Sequence, residues 1–458
     1  MQILEQLPEE YFRIDHYDFD EENYQAKFYY SQVGGKIGNG ESLDFCETVQ
    51  FVKPSQERMN AIRADFNYQI QLNYALTLAT FLIGTSYYKT RPTKAIVADN
   101  LFWSDQTDLF EYAYQEGLSQ FAYENHLTRA DLATLYINPV AILDKIMPGP
   151  RPFSGRGILA LQSGGKDSIL TASLLNEKNL PWTALYISSN GNSHPEVIDQ
   201  LGAKKVQVVE RNIDTKKLEE SSAQGGLNGH VPVTYINMAI ALVQAIINGD
   251  NKILTSIGHE GEEPHTVIKS PIESGLRDLP VNHQWSKTWQ AEQLFSKFVS
   301  DFISTDIKVG SLLRQYSELK IAELFAERCW EKYNKSFSSC NQSNYRQGKD
   351  NSKLHWCGKC AKCANSYLLF APFVSAKNLN SVIANKNGSL FQDIEIANIF
   401  KGLLGIDDQI KPFECVGEIA ELRCAYHLKQ PDYPDLPFDV PQSGYDYSQT
   451  YLHQNLGI

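Results

Sequence analysis

The chain has 458 residues, 42% hydrophobic and 21% charged, so it is long enough for two or three domains and needs no disulfide framework to hold a core. A net charge of −12 counts against a nucleic-acid partner, whose phosphate backbone calls for a basic stripe. The first residues lack the basic start and apolar run of a secretory signal, and the most apolar stretch, 74–88, is shorter than the roughly 20 residues of a membrane span, so the chain is read as cytoplasmic with no membrane partner.

Residues 1–138 are expected to form an α+β domain. Strand-like runs at 24–30 and 43–49 flank the Gly/Asn-rich turn at 34–40, which is hairpin patterning. Helical patterning follows at 58–89 and again at 105–125. The Pro- and Gly-rich segment 139–156 has no period and is read as a linker. Residues 157–335 then alternate strand and helix: strands at 158–161, 183–187, 206–209 and 253–257, and helices at 168–175, 195–201 and 235–247. That alternation predicts an α/β fold, a parallel sheet with helices on both faces, whose ligands bind at the carboxyl ends of the strands. Residues 285–335 are read as helical, with amphipathic stretches at 289–302 and 319–330. Residues 336–427 hold a cysteine cluster and further helices, and the Pro/Tyr-rich tail, 428–458, is expected to wrap the surface or to be mobile.

Between the strand at 158–161 and the helix after it lies Ser163-Gly164-Gly165-Lys166-Asp167-Ser168. The glycines let the backbone turn sharply and bring its N–H groups to an anion, and the helix adds its unpaired first-turn N–H groups and dipole. Ser163 and Ser168 supply hydroxyl donors and Lys166 a positive charge. Asp167 would repel phosphate unless a cation intervened, so it is the candidate Mg2+ ligand. The spacing is not that of a Walker loop. Further on, Cys357, Cys360 and Cys363 recur every third residue, with Cys340 upstream. Four thiolates would give zinc a closed, structural site, with His355 as a competitor to Cys340 for the fourth place. Cys46, Cys329, Cys415 and Cys424 show no ligand spacing and are read as core.

The hexapeptide resembles the SGGxDS signature of the PP-loop ATP pyrophosphatases, which transfer AMP to a substrate oxygen with loss of pyrophosphate. Further stretches resemble a narrower family: 82–89, 115–123, 281–287 and 317–319, together with Ser339-Cys340-Asn341, 356–363 and 369–373. These are similar to the MurL-type UDP-N-acetylmuramoyl-L-alanyl-L-glutamate epimerases of peptidoglycan synthesis. The resemblance implies ATP, Mg2+ and a UDP-linked muramoyl dipeptide as substrate, with the terminal L-glutamate inverted to D-glutamate. It also implies an acyl-adenylate, because an α-proton beside a free carboxylate is barely acidic. A proton acceptor and donor are then needed. The candidates are His283 and Lys287, then Tyr88 with Tyr87 and Lys89, then His259 and Glu260. Lys89 and Arg314 are further candidates for anionic substrate groups, although both are expected to be solvated. Two other readings share the motifs: an amide-forming synthetase such as a 7-cyano-7-deazaguanine synthase, and a non-catalytic nucleotide-sensing or zinc-ribbon module. Oligomeric state is left open.

Overall fold

The computed structural model describes residues 7–34, 42–98, 107–137, 149–344, 350–383 and 388–458. Positions 35–40 of the expected hairpin turn and 139–148 of the expected linker lie outside these residues.

Among the described residues twelve strands are formed: β1 (Tyr11–Asp20), β2 (Gln25–Val33), β3 (Leu43–Gln50), β4 (Ala95–Ala98), β5 (Leu135–Ile137), β6 (Ile158–Leu161), β7 (Thr183–Ser189), β8 (Lys205–Asn212), β9 (Lys252–Thr255), β10 (Thr266–Ile268), β11 (Leu279–Val281) and β12 (Lys308–Ser311). Ten of them make one sheet in the order β12-β9-β6-β7-β8-β3-β2-β1-β4-β5, while β10 and β11 pair separately. The half from β12 to β8 is parallel throughout. In the other half β2 pairs antiparallel with both β1 and β3, and β4 and β5 are added parallel to β1. The expected α/β architecture is therefore present, and the strands before and after 139–156 hydrogen-bond into a single sheet.

The two halves meet where β3 pairs antiparallel with β8, Val49 opposite Arg211. That junction is charged and buried. Arg211 Nε donates to Glu47 Oε1 at 2.6 Å, its Nη2 donates to Ser86 Oγ at 3.0 Å, and the Tyr87 hydroxyl donates to Glu47 Oε2 at 2.7 Å. A buried ion pair is tolerated when its lone pairs and protons are filled in this way.

Each face of the sheet carries its own core. On one face the helix Phe66–Tyr88 packs against the helix Val233–Asn248, over Phe12, Phe28, Val209 and Ile253. The first helix begins where Asp65 caps the N–H of Asn67, and it is buried along most of its length. Its hydroxyls turn inward, Thr80 Oγ1 donating to Leu76 O and Thr85 Oγ1 to Leu82 O, so the apolar run carries polar atoms without penalty. On the other face the helices Lys166–Glu177, Glu318–Arg328, Ala361–Phe370 and Ile419–His427 share a second core.

The helical reading of 285–335 needs one correction. The helices Trp289–Phe298 and Glu318–Arg328 are there, but β12 lies between them and pairs with β9 at the sheet edge. A four-residue edge strand is too short to show a period of two. The tail wraps the surface: Tyr433 donates its hydroxyl to Val374 O at 2.7 Å, Tyr451 N donates to Gln315 O at 3.1 Å, and Leu456 is buried. Among the described residues, no helix is long and apolar enough to cross a membrane.

Candidate functional site

At the carboxyl end of β6 the chain turns through Ser163-Gly164-Gly165 into the helix that starts at Lys166. Gly164 has φ +78°, and a Cβ there would lie 2.6 Å from Leu354 and 3.0 Å from Val197, so both its conformation and its packing require glycine. Gly165 occupies the N-cap position without a side-chain cap, which leaves the first-turn N–H groups to the cavity that Gly165, Asp167 and Ser168 help to line. This cavity, about 490 Å³, also takes in the ends of β7 and β9 through Tyr186, Ile187, Ser189 and Thr255. Gln162 lines it at 4% exposure with neither carboxamide atom paired, and the Ser256 hydroxyl on the same wall is also unpaired. Buried polar atoms left open on a cavity wall mark places for a polar guest.

Beneath the loop is a cluster of buried charges. Lys166 Nζ donates to Asp167 Oδ1 at 2.5 Å and to Glu318 Oε2 at 2.6 Å. Burial pulls this lysine's pKa down, but the two carboxylates outweigh it and hold the ammonium above the ordinary lysine value. Burial pushes Glu318 up to about 7, with Lys166 opposing and Asp167 and Glu260 adding to the rise. Burial pushes Glu421 up to about 8, against the Leu319 N–H that donates to it at 2.7 Å. Lys287 Nζ donates to Glu260 Oε2 at 3.0 Å. Burial lowers that lysine too, yet Cys415 and Glu260 outweigh it and keep it above its usual value. Two ammonium groups face four carboxyl groups, and the burial that raises Glu318 and Glu421 is opposed at Glu318 by the Lys166 ammonium.

His283 and Lys287, both expected near the reacting centre, line the cavity. Glu260 stands behind Lys287 as its hydrogen-bond acceptor. His283 Nδ1 lies 2.6 Å from Gln120 Oε1, and its ring is 4.2 Å from that of His230, which also lines the cavity. Donation from Nδ1 to Gln120 leaves Nε2 as an acceptor. Burial holds His283 down to about 4 and His230 to about 3, so both are neutral at ordinary pH. His230 was not singled out from the sequence, because it stands in a loop with no motif around it.

Tyr88 is not brought to this cavity. It is fully buried, its hydroxyl donates to Thr93 O at 2.8 Å, and Phe12 and Tyr114 pack edge-on against its ring. It is core, and the proton-transfer role expected for it is withdrawn. Tyr87 is committed to Glu47 at the sheet junction. His259 stacks on Tyr451 at 3.6 Å. Lys89 and Arg314 were expected to be solvated and are buried instead. Lys89 donates to Gly229 O at 2.9 Å, and Arg314 is spent on Glu292 at 2.8 Å and on the carbonyls of Gly258 and Lys287. The phosphate-facing charge expected of Lys166 is also not on the cavity wall, being held by Asp167 and Glu318.

Cys340, Cys357, Cys360 and Cys363 converge, with ligand atoms all within 4.8 Å of one another. The Sγ separations of 3.6 Å (Cys340–Cys360), 3.7 Å (Cys357–Cys363) and 3.5 Å (Cys360–Cys363) approach the spacing of about 3.8 Å for sulfurs around one tetrahedral zinc. Cys340 rather than His355 completes the group. His355 contributes only backbone here, its N–H donating to Asn344 Oδ1 and its carbonyl accepting from Ser338. The cysteine cluster touches the glycine loop: Ser338 N donates to Gly164 O at 3.3 Å, and Ser339, Asn341 and Lys362, each beside one of the four cysteines, line the cavity.

A family model described as the MurL N-terminal domain matches residues 5–312, and one described as the MurL C-terminal domain matches 336–437. Three curated relatives bear the name UDP-N-acetyl-alpha-D-muramoyl-L-alanyl-L-glutamate epimerase. That of Xanthomonas oryzae pv. oryzae is 34% identical over 77% of this chain and 73% of its own. That of Salinispora tropica is 30% identical over 93% and 86%, and that of a Micromonospora species 29% identical over 93% and 88%. Among solved structures, the NMN synthetase from Francisella tularensis matches 50% of this chain and 84% of its own at 16% identity, with a TM-score of 0.24.

Proposed function

This chain belongs to the MurL family, and from that premise we propose that it epimerises the terminal L-glutamate of UDP-N-acetylmuramoyl-L-alanyl-L-glutamate to D-glutamate through an ATP-derived acyl-adenylate. The carrying observation is the uncapped helix start at Gly165–Lys166, opening with Asp167 and Ser168 onto a cavity whose walls hold unpaired polar atoms. In this reading Ser163, Gly164, Gly165 and Ser168 cradle the ATP phosphates in the PP-loop manner. Asp167 would hold Mg2+, which supplies charge neutralisation there. The four thiolates fit a structural Zn2+ with no open position. A nucleotide-linked precursor that consumes ATP places the work in the cytoplasm.

The difficulty of the reaction is electrostatic. Taking the α-proton beside a free carboxylate stacks negative charge on negative charge. Attack of that carboxylate on the α-phosphorus of ATP releases pyrophosphate and leaves an uncharged acyl carbonyl able to accept the electron pair. The neutral His283 imidazole then accepts the α-proton at Nε2, and Lys287, oriented by Glu260, stands by the growing enolate charge. Reprotonation from the other face inverts the centre, and water releases AMP.

Incubation of the protein with ATP, Mg2+ and the L,L-dipeptide nucleotide in D2O tests the proposal. It requires AMP and pyrophosphate in the products and deuterium at the glutamate α-carbon of the D-epimer. Release of ADP instead, or AMP formation that needs ammonia and leaves the α-proton in place, would refute it.

A further inference from the structure

Lys166 is turned under the phosphate loop, and what it does there sets the state of Asp167. Its side chain is 5% exposed and that of Glu318 8%, and neither lines the cavity. Asp167, at 27%, is the outermost of the three and does line it. Glu318 cannot drift. It opens the helix Glu318–Arg328, whose N-cap Ser317 accepts from Lys320 N, and the N–H of the next residue, Leu319, donates to Glu421. The ammonium is therefore held between one fixed interior carboxylate and one carboxylate at the cavity wall.

We propose that Glu318 is a positioning residue for Asp167: it supplies the counter-charge of the Lys166 ammonium, which would otherwise close onto Asp167. The proposal rests on the nucleotide-loop reading above. A buried ammonium facing a single carboxylate would close into an ion pair, which an incoming divalent cation would have to break. With two carboxylates on one ammonium, Glu318 satisfies the lysine, and the negative charge of Asp167 is left over for the cation that arrives with the nucleotide. Glu260 and Glu421, the other carboxyls around Glu318, are engaged by Lys287 and by Leu319 N–H, so neither replaces Glu318 at Lys166.

The test is the Mg2+ requirement for binding a non-hydrolysable ATP analogue, followed by calorimetry on the full-length protein across a Mg2+ series, with thermal unfolding alongside. Glu318→Gln keeps the shape and removes the charge. It is expected to raise the half-saturating Mg2+ concentration about tenfold, the scale of one charge-assisted hydrogen bond. Lys166→Met in the same chain is expected to bring it back, because Asp167 then has no competing ammonium. An ion pair serving stability alone would lower Tm, leave the Mg2+ requirement unchanged and show no such rescue, and either of those two binding results overturns the proposal. Should Glu318→Gln not fold, Lys166→Met alone decides: the Mg2+ requirement must fall, and a rise overturns the clamp. Wild-type binding indifferent to both Mg2+ and Asp167→Asn would instead remove the nucleotide-loop reading itself, and the clamp with it.

Discussion

His283 is held neutral by its surroundings, and this gives its proposed role a distinctive pH signature. As a base it must be unprotonated, so its contribution to the rate should disappear only as pH falls through about 4, not near the free-histidine value of 6.5. Stability moves in the same window with the same sign. Imidazoles buried neutral in the folded chain protonate near 6.5 when unfolded, so the folded state weakens steadily as pH drops from 6.5 toward 4. Rates taken where unfolding curves show intact protein separate the two effects. His283→Gln is expected to cut α-deuterium incorporation about 100-fold while AMP and pyrophosphate still form. Undiminished incorporation would remove His283 from the proton path. The loop hexapeptide and the cysteine run were legible because their chemistry is written in consecutive residues. His230 and Glu318 were not, since each reaches the site from an element far from the loop, and Gln162, next to the hexapeptide, was passed over because the sequence shows neither its burial nor its unpaired carboxamide. Tyr88 misled for the converse reason. It ends a long apolar helix, but Phe12 of β1 and Tyr114 close over its ring.

Among the elements, the cysteine knot couples most directly to the site. Its four thiolates were expected to make a closed, structural zinc site and nothing more. Ser338 N bonded to Gly164 O, and Ser339 packed so that a Cβ on Gly165 would lie 3.0 Å from its hydroxyl, tie the knot to the glycine turn at the cavity. Cys360→Ser is therefore expected to lose the metal, lower Tm, and weaken binding of an ATP analogue about tenfold or more at temperatures where the protein is still folded. Full metal content, or full nucleotide affinity without metal, would show that knot and loop are independent. The longer apolar and alternating runs predicted their elements well, with β2, β3, β7 and β8 falling where the periodicity puts them, and the four-residue β6 and β9 were read from their place in the strand–helix alternation. β1 was missed because His, Asp and Arg interrupt its alternation. β4, β5, β10, β11 and β12 were missed because three or four residues carry no readable period.

At the scale of the whole molecule, the boundary read at 139–156 falls between β5 and β6, strands of one sheet, and we propose it as a junction of sequence modules. The strand alternation predicted the parallel half, whereas the pairing of β3 with β8 depends on Glu47, Arg211 and Tyr87 meeting from distant positions, which no local pattern announces. A chain begun at residue 149 would retain the loop, the cavity wall and the cysteines. It would also leave β8 as an outer strand with a row of unmatched amide groups, and strip its cover from the helix Val233–Asn248, most of whose residues are buried in the intact protein. Such a fragment is expected to run as large aggregates in size-exclusion chromatography and light scattering, and a monodisperse fragment that binds nucleotide would contradict this. Keeping the half that holds the cavity dispersed in water thus falls to β3 and the helix Phe66–Tyr88, which contribute no residue to the cavity.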